Sequence, residues 1–389
     1  MKIGLLGFGT IGSGVYEIIS TNKNKYLSDI EVVKVLVKDE FEKTREFMTL
    51  DINDILNDKE IDTVVEVIGG INPAYKFISN ALKAGKNVVT ANKAVVAAHL
   101  QEFQNLAAIN NVKFLFEASV GGGIPWLESL QKAKRIDDIS GIEGIFNGTT
   151  NFILDNMHKN GVAFDEILAH AQSLGYAEAN PSADIDGFDV QNKTMISSSL
   201  AYNTIIPMDE INVFGIRNVS KNDIDYFKKH GKVLKFLSTS RKENNEYCAC
   251  VEPVLFASHS LEANVSSNYN VGSLYGESIG ELKFYGQGAG KLPTANAIVQ
   301  DIIDITNNTA DNYDCDFKDK LKYNPELIKG EYLIRLHNET TLIPNIKRVS
   351  EFNDSFYYVT KEMNNLQIHE LSKVLLNEEP DMFFARILK

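Results

Sequence analysis

Cysteine and tryptophan are scarce in this chain of 389 residues, which has three cysteines and one tryptophan. An odd, sparse set of cysteines (Cys248, Cys250 and Cys315) does not suit a disulfide framework and indicates reduced thiols in a cytosolic protein. Cys248 and Cys250 lie two positions apart in an apolar run, so on a strand they would share one buried face. A metal site at this pair would lack the nearby histidine pair that zinc often takes.

The sequence also lacks a long apolar run and a recognisable leader. No stretch approaches the ~20 apolar residues of a membrane span. The first residues run directly into an apolar segment without a small-residue cleavage site. The net charge of −13 argues against nucleic acid as the main partner, because phosphate backbones bind basic surfaces, although a local basic pocket for a phosphorylated cofactor is compatible with it. We therefore expect a soluble cytoplasmic protein that binds neither membrane nor nucleic acid.

Short apolar runs alternate with helical patterns in the first third of the chain. The helical pattern over residues 73–84 shows the usual boundaries, with a proline at its start and Gly85 just past its end. Such alternation predicts parallel strands whose sheet is covered by helices on both faces. The predicted strands are residues 3–6, 32–37, 63–68, 87–90 and 114–116.

The first predicted strand runs into the motif G-x-G-x-x-G, which opens a helix at residues 7–12. The first glycine allows a tight turn, the second lets the backbone approach a pyrophosphate, and the third lets the helix pack on the strand. The helix N-terminus adds free N–H groups and the positive end of its dipole. In this strand–turn–helix context the motif predicts a dinucleotide-binding Rossmann domain, whereas alone it would fit a plain glycine-rich turn.

The end of the second predicted strand bears on the choice of dinucleotide. An acidic residue there would accept a hydrogen bond from the 2′-hydroxyl of NAD, whereas a basic one would pair with the 2′-phosphate of NADP. The strand ends Val37-Lys38-Asp39. Lys38 favours NADP, and Asp39 is compatible with NAD. A third interpretation is an exposed Lys-Asp turn that has no role in the choice of cofactor.

The pattern changes after the three glycines at 121–123, where longer strands and helices follow in α+β order. We predict a Rossmann domain over residues 1–130 and an α+β domain over 131–292. A helix at 293–305 is expected to pack back on the first domain. The polar segment 306–329 predicts a linker, and 330–389 predicts a small separate α+β module.

Carboxylates gather around one lysine in the second domain. Asp189 and Lys193 are four positions apart and therefore share one face of a predicted helix. A lone pair of this kind would be an exposed ion pair, but Glu178, Asp184 and Asp186 lie close by in sequence. This excess of negative charge indicates a site for a substrate that carries an ammonium group. A lysine held in a closed pocket there could donate a proton.

A further polar segment, G-I-F-N-G-T-T-N at 144–151, follows a predicted strand. Its small polar side chains could line a polar pocket. They also suit a turn followed by the N-cap of the next helix, and the two interpretations are compatible.

Six blocks of the sequence, spread in order over roughly residues 1–305, carry a resemblance to a known family. They are G-F-G-T-I-G-S-G-V (7–15), T-A-N-K (90–93), E-A-S-V-G-G-G-I-P (117–125), G-I-F-N-G-T-T-N-F-I-L (144–154), L-G-Y-A-E-A-N-P-S-A-D-I-D-G-F-D-V-Q-N-K (174–193) and Y-G-Q-G-A-G-K-L-P-T-A-N-A (285–297). Together they resemble the homoserine dehydrogenase family. The resemblance implies an oxidoreductase that interconverts L-homoserine and L-aspartate 4-semialdehyde with NADP, or with NAD, in threonine and methionine biosynthesis. It also implies that the second domain is catalytic and forms a homodimer or a higher homo-oligomer.

The resemblance also implies catalytic and substrate-binding roles. Lys193 resembles the catalytic lysine that protonates the carbonyl oxygen as hydride arrives. Lys93 resembles a second active-site lysine, near both substrate and nicotinamide. Carboxylates of this family hold the substrate amino group, and a glycine lines the same pocket. The substrate-binding residues expected here are Gly175, Glu178, Asp184 and Asp189.

Cofactor and cation sites are implied in the same way. A monovalent cation, usually sodium, is expected at Glu117 with the backbone carbonyls of Val120, Gly122 and Ile124. The alternative for Glu117 is a structural carboxylate that caps the loop. The cofactor-binding residues expected are Gly7, Phe8, Gly9, Thr10, Ile11, Gly12, Lys38, Thr90, Lys93, Gly288 and Gly290.

The C-terminal segment departs from the family pattern. Many bacterial members carry a small regulatory ACT module there, and G-E-Y-L-I-R-L-H-N (330–338) resembles its opening strand. The glycine usual in the following loop is missing from T-T-L-I-P-N-I (340–346), and the module is short. An ACT-like module that binds an amino acid and a degenerate structural appendage both stay open.

Two other functions share parts of this pattern. Aspartate-semialdehyde dehydrogenase would share the substrate and a Rossmann domain, but it needs a reactive cysteine beside a histidine. Cys248 and Cys250 lie in a predicted strand without that context. A cofactor-sensing regulator would have no use for the cluster of Glu178, Asp189 and Lys193.

Overall fold

The computed structural model describes residues 1–309, 313 and 316–388, so Cys315 lies outside the described residues. The chain divides into two compact units. The first comprises Met1–Arg135, Ser199–Ile205 and Gly286–Lys318, and the second comprises Ile136–Ser198, Ile206–Tyr285 and Asp319–Lys389. Among the described residues, the helices are all too short or too polar to cross a membrane.

The strands, in chain order, are β1 (Lys2–Leu6), β2 (Glu31–Leu36), β3 (Met48–Thr49), β4 (Thr63–Glu66), β5 (Asn87–Thr90), β6 (Phe114–Leu115), β7 (Ile139–Ile145), β8 (Ile211–Val213), β9 (Lys232–Glu243), β10 (Glu246–Ala257), β11 (Tyr269–Gly276), β12 (Gly280–Gln287), β13 (Lys322–Tyr323), β14 (Lys329–Leu336), β15 (Ile346–Phe352), β16 (Ser355–Thr360), β17 (Met363–Asn364) and β18 (Phe383–Ile387). The helices are α1 (Thr10–Thr21), α2 (Asn53–Leu56), α3 (Ala74–Lys83), α4 (Lys93–Asn110), α5 (Trp126–Lys134), α6 (Gly148–Asn160), α7 (Phe164–Ser173), α8 (Ser182–Ile185), α9 (Phe188–Tyr202), α10 (Lys221–Lys229), α11 (Lys291–Thr306) and α12 (Asn365–Glu378).

The sheet of the first unit is parallel, with the strand order β3-β2-β1-β4-β5-β6. This is the order of a doubly wound dinucleotide-binding fold. All four residues of β4 are buried, as expected for a central strand covered on both faces. The predicted Rossmann architecture is confirmed, and every predicted strand of this region is present within a few residues of its expected bounds.

Helix α11 packs against α1 in the first unit. A Cβ on Gly14 would lie 3.0 Å from Cγ of Lys291 and 3.1 Å from Cβ of Ala295, so glycine allows the close approach of the two helices. The Lys291 ammonium and the Glu17 carboxylate form an ion pair of 2.7 Å across them. The helix expected at 293–305 thus belongs to the first unit.

The sheet of the second unit centres on the long antiparallel hairpin of β9 and β10, which pair along their whole length. Strand β7 pairs antiparallel with β9 on one side and with β11 on the other. The sheet order is β12-β11-β7-β9-β10-β18-β14-β16-β15. Helices α6 and α10 pack against β9. The predicted α+β class of this region agrees with this arrangement.

The C-terminal residues differ from the predicted separate module. Strand β18 runs parallel to β10, pairing Arg386 with Val254 and Ile387 with Leu255, and β14, β16 and β15 extend the same sheet. The predicted linker 306–329 contains strand β13, which also pairs with β10. The chain enters the second unit at Asp319 and not at residue 330. The pairings with β10 join residues more than seventy positions apart, so local sequence patterns do not reveal them.

A buried ion pair holds β18 to the hairpin. Nε of Arg386 lies 2.6 Å from Oε1 of Glu252, and Nη2 of Arg386 donates a 2.8 Å hydrogen bond to Oγ1 of Thr239. Both charged residues are buried. Burial opposes ionisation of Glu252, but the Arg386 guanidinium and His369 together outweigh it, so the pKa of Glu252 is lowered.

We expect Arg386→Met to destabilise the protein by ~3–5 kcal/mol, because removing one partner of a buried pair leaves the other charge buried and unpaired. The free energy of unfolding would be measured by urea titration monitored by circular dichroism. Lys2→Met, which breaks the exposed pair with Glu60, is the control and should change stability little. Equal effects of the two substitutions would contradict a structural role for Arg386.

Candidate active site

The glycine-rich loop after β1 has the geometry that a pyrophosphate requires. Gly7 has a φ of +99°, and a Cβ on Gly12 would lie only 2.2 Å from the Gly7 carbonyl oxygen. Gly9 caps α1 without a side-chain hydrogen bond, and a Cβ there would meet no atom within 4 Å. The backbone at Gly9, where α1 begins, is therefore unobstructed, which fits a phosphate bound at the N-terminus of the helix.

The residues after β2 separate the two predicted ribose contacts. Oδ1 of Asp39 accepts hydrogen bonds from the backbone N–H groups of Phe41 (3.0 Å) and Glu42 (3.2 Å), so this carboxylate stabilises its own turn. Lys38 is exposed. The Lys38 side chain is therefore available at this position, whereas the Asp39 carboxylate is used to stabilise its own turn.

Arg45 lies in the same loop, and sequence reasoning missed it. Its guanidinium lies 5.7 Å from the ring centroid of Phe8, the residue between the first two motif glycines. It also lies 5.0 Å from the ring of Tyr16 and 5.7 Å from that of Phe47. The available signal was an arginine that shortly follows the second strand. The contact with Phe8 places a second cation beside the glycine-rich loop.

The T-A-N-K segment joins β5 to α4. The buried hydroxyl of Thr90 donates a 2.7 Å hydrogen bond to Oε2 of Glu66 and accepts one of 3.0 Å from the Asn92 N–H. Asn92 then caps α4 by accepting from the Val95 N–H, which places Lys93 in the first turn of that helix. Thr90 thus supports the loop, and a direct contact of its side chain with cofactor stays a prediction.

Glu117 has the capping role that the sequence left open. Its carboxylate accepts hydrogen bonds from the N–H groups of Leu127 (2.9 Å) and Glu128 (2.7 Å), in the first turn of α5. Burial raises the pKa of the Glu117 carboxyl to about 8. The two hydrogen bonds commit the Glu117 side chain to the start of α5.

The three-glycine loop lies against the segment that precedes α11. Gly121 and Gly122 have positive φ values, and a Cβ on Gly122 would lie 2.4 Å from the backbone of Gly288. The Gly123 N–H donates to the Gln287 carbonyl at 3.1 Å, and Gly290 has a φ of +128° where α11 begins. Glycines on both sides let the two backbones approach closely in the first unit.

Lys193 is buried in the second unit beside two oxygen atoms. Its ammonium donates hydrogen bonds of 2.7 Å to Oδ2 of Asp189 and of 2.7 Å to the backbone carbonyl of Phe146. Asp189 is buried as well. The i, i+4 spacing predicted that the two side chains share a helical face, and the structure joins them in one ion pair.

Asn147 connects this pair to a second carboxylate, and it was absent from the predicted site. Its Nδ2 donates to Oδ1 of Asp184 at 2.7 Å and to Oδ2 of Asp189 at 2.9 Å. Its Oδ1 accepts from the Thr150 N–H at 2.8 Å, which caps α6. The sequence signal was present in N-G-T-T-N, where both a cap and a polar pocket were considered. One amide serves both purposes.

The remaining acidic residues of the segment lie apart from this network. Asp186 forms an exposed ion pair of 2.7 Å with Arg217. Glu178 is exposed between α7 and α8, and its carboxylate makes no hydrogen bond or ion pair with any residue that the structure describes. Gly175, with a φ of +75°, follows the end of α7. The structure therefore brings Asp184, Asp189 and Lys193 together and leaves Glu178 outside.

The cysteines within the described residues offer no nucleophile. Cys248 and Cys250 are both buried on β10. Burial raises the pKa of the Cys248 thiol to about 12 and that of Cys250 well above its ordinary value. Neutral thiols in a strand do not form the acyl intermediate of an aldehyde dehydrogenase.

Comparison with known proteins assigns the chain to a family. The family model for the homoserine dehydrogenase NAD binding domain matches residues 7–117, and that for homoserine dehydrogenase matches residues 125–303. The homoserine dehydrogenase of Bacillus subtilis is 35% identical over 87% of this chain and 81% of its own length. That of Synechocystis is 41% identical over 78% of this chain and 73% of its own. The chain belongs to the homoserine dehydrogenase family.

Solved structures of homoserine dehydrogenases agree. The crystal structure from Thiobacillus denitrificans has a TM-score of 0.89 at 30% identity and covers 100% of this chain and 98% of its own. A hyperthermophilic archaeal homoserine dehydrogenase in complex with NADPH has a TM-score of 0.69 at 25% identity, covering 80% and 99%. The chain is thus a nicotinamide-dependent oxidoreductase of amino-acid biosynthesis that interconverts L-homoserine and L-aspartate 4-semialdehyde.

We expect Asn147→Asp to lower kcat for homoserine oxidation by ~10-fold or more. The substitution keeps the acceptor that caps α6, but it removes two donors to carboxylates, and hydrogen bonds to charged groups are worth ~1.5–3 kcal/mol. It also adds a negative charge beside Asp184 and Asp189. Steady-state kinetics across pH would measure the effect.

The matched control is Asn156→Asp, which makes the same charge change on the same helix. Its side chain bonds to Phe152 and Asn160 of α6. Turnover of Asn147→Asp within twofold of wild type would show that the amide is only a helix cap.

Proposed function

We propose that Lys193 is the general acid that protonates the carbonyl oxygen of aspartate semialdehyde and, in reverse, takes the hydroxyl proton of homoserine. The bound nicotinamide cofactor supplies or accepts the hydride at the adjacent carbon. The observation that carries the proposal is the buried Lys193 ammonium bonded to Asp189 and to the Phe146 carbonyl. Asp189 favours the charged form of the lysine, so the proton is held until the oxygen develops negative charge.

The substrate ammonium is proposed to bind among the carboxylates of the same segment. Asp184 and Asp189 already share the Asn147 amide, which fixes their orientation. The exposed Glu178 supplies a further negative charge, and we propose that it pairs with the substrate when the loop around Gly175 contacts it. Burying the substrate ammonium requires such a partner, since an unpaired buried charge is costly.

Lys93 is proposed as a second active-site lysine that contacts both substrate and nicotinamide. The proposal rests on the match of T-A-N-K to the family and on the position of Lys93 in the first turn of α4, after the carboxyl end of β5. Ligands of open parallel sheets bind at that end of the strands. Thr90, Gly288 and Gly290 are proposed to contribute to the cofactor site through the loops that they support.

NADP is proposed as the preferred cofactor, with NAD also accepted. Lys38 is exposed beyond β2, and Arg45 lies beside Phe8 of the glycine-rich loop. Two cations in this loop suit a 2′-phosphate. Asp39, the residue that would have favoured NAD, is bonded within its own turn.

A monovalent cation such as sodium is proposed at the three-glycine loop, held by the backbone carbonyls of Val120, Gly122 and Ile124. Hard oxygen ligands in a loop turned by positive-φ glycines suit such an ion. The Glu117 side chain is occupied by the N-terminus of α5, so this residue would contribute its backbone carbonyl alone.

A homodimer is proposed from the exposed edge of the second-unit sheet. Strand β12 lies at one end of the sheet order, and it bears the exposed ring of Tyr285, with Ile279 exposed in the turn before it. Exposed apolar side chains at a sheet edge are typical of surfaces that pair with another chain. Cytoplasmic location also stays a proposal.

The C-terminal strands are proposed to be a reduced ACT-like module. Along the chain, β14, β15, β16 and β18 are the first, second, third and fourth strands of this segment. In the sheet they lie in the order β18-β14-β16-β15, which is 4-1-3-2, the order of a ferredoxin-like β-α-β-β-α-β sheet. Only the second helix, α12, is present, since residues 337–345 form neither helix nor strand. The missing helix supports the degenerate form.

We expect Lys193→Ala to lower kcat by ~10²–10⁴-fold, the usual contribution of general acid catalysis. The dissociation constant of NADPH from the free enzyme should stay near that of wild type, measured by fluorescence titration. Lys159→Ala, which removes a half-exposed lysine of α6, is the control. Retention of more than about a tenth of wild-type kcat, below the low end of that range, would rule out Lys193 as the acid.

We expect Lys38→Ala to raise KM for NADPH much more than KM for NADH, because only NADPH carries the 2′-phosphate. Arg45→Ala should act in the same direction. Lys43→Ala, in the same exposed loop, makes the same charge change and should leave the ratio of the two KM values unaltered. Equal changes in both KM values for Lys38→Ala would mean that this lysine does not select the cofactor.

A further inference from the structure

A cavity of about 470 Å³ lies in the second unit, on the face of the C-terminal sheet that α12 does not cover. Tyr332, Ile334 and Leu336 of β14 pack with Ile368 and Leu375 of α12. Side chains alternate across a strand, so Glu331 and Leu333 point to the other face and line the cavity. The cavity and helix α12 therefore lie on opposite faces of the C-terminal sheet.

The floor of the cavity is apolar and continuous across four strands and a helix. The sheet register places Leu255 beside Ile387, and Leu333 beside Val359. Phe227 of α10 lines the same cavity. Phe227, Leu255, Leu333 and Val359 are each at most 4% exposed. The floor is therefore a packed apolar base with little open area, which suits a short aliphatic chain and offers no partner to a strongly hydrated ion.

The mouth of the cavity is basic, although the whole chain carries a net charge of −13. Lys232, Lys347 and Arg348 line it together with His230, against a single carboxylate, that of Glu331. Glu331 is paired with Lys347 at 2.6 Å.

The two other cations at the mouth lack a carboxylate partner among the residues that the structure describes. Lys232 donates a 2.6 Å hydrogen bond to the Leu388 carbonyl. Burial lowers the pKa of the Lys232 ammonium, as expected for a cation that has lost water without gaining an anion. The Arg348 guanidinium makes neither an ion pair nor a hydrogen bond with a described residue. The mouth therefore has a surplus of positive charge directly above hydrocarbon.

We propose that this cavity binds a small monocarboxylate with an aliphatic chain. The chain lies on Leu333 and Val359, and the carboxylate pairs with Arg348 and Lys232. A cavity of this size suits a small ligand, since such sites commonly measure ~300–1,000 Å³. A phosphate or another compact anion would leave the apolar floor empty, and an amine would meet the cations of the mouth.

Isothermal titration calorimetry on the full chain tests the proposal with four probes: hexanoate, hexan-1-ol, hexylamine and acetate. Hexanoate should bind most tightly, because it alone combines the chain with the charge. Acetate lacks the chain, hexan-1-ol lacks the charge, and hexylamine has the opposite charge. Arg348→Gln should weaken hexanoate binding at least fivefold and leave hexan-1-ol unaffected.

The control is Lys361→Gln, an exposed residue of the same unit outside the cavity lining that makes the same change in net charge. It should bind hexanoate like wild type. Arg348 is exposed on β15, so its replacement does not endanger the fold. The proposal is overturned if hexanoate fails to bind, if hexylamine or acetate binds as tightly, or if Arg348→Gln binds hexanoate as wild type does.

Discussion

The catalytic unit depends on one buried charge, the ammonium of Lys193. A cation taken out of water is tolerated only where oxygen atoms replace its hydration. The replacements come from the Phe146 carbonyl just after β7 and from Asp189 on α9, the helix that also bears Lys193. Asn147 at the start of α6 then fixes Asp189. The contacts of this single lysine therefore join a strand and two helices, and in the proposed mechanism they also orient its proton toward the substrate.

Features of this site that depend on short sequence spacing were predictable, and those that depend on distant contacts were not. Asp189 and Lys193 meet because helical geometry brings residues four apart together. Asn147 was seen as a cap, but its carboxylate partners lie 37 and 42 positions away along the chain. Prediction of the role of Glu117 was limited in the same way. The residue was singled out, yet only the fold revealed that its carboxylate accepts hydrogen bonds from the first turn of α5.

Prediction of the fold was limited in the same way as prediction of the site. Alternating strands and helices predicted the parallel sheet of the first unit, because each strand pairs with a neighbour through a local crossover. The C-terminal residues contain strands and a helix, as predicted for an α+β segment, but they were assigned to a separate module. Their attachment to β10 depends on the buried pair of Glu252 and Arg386, whose members lie far apart in sequence. A buried arginine cannot be told from an exposed one by its neighbours along the chain.

The second edge of β10 is covered by three short segments. Strand β13 pairs with residues Glu246 and Tyr247, β8 pairs with the stretch from Ala249 to Val251, and β18 pairs with Val254 and Leu255. Two of the three are synthesised long after the hairpin itself, so a nascent chain exposes a long strand of unpaired backbone groups. Such an edge recruits strands from other molecules. Damage to β13 or β18 would therefore appear first as aggregation during biosynthesis, in a protein whose catalytic residues are intact.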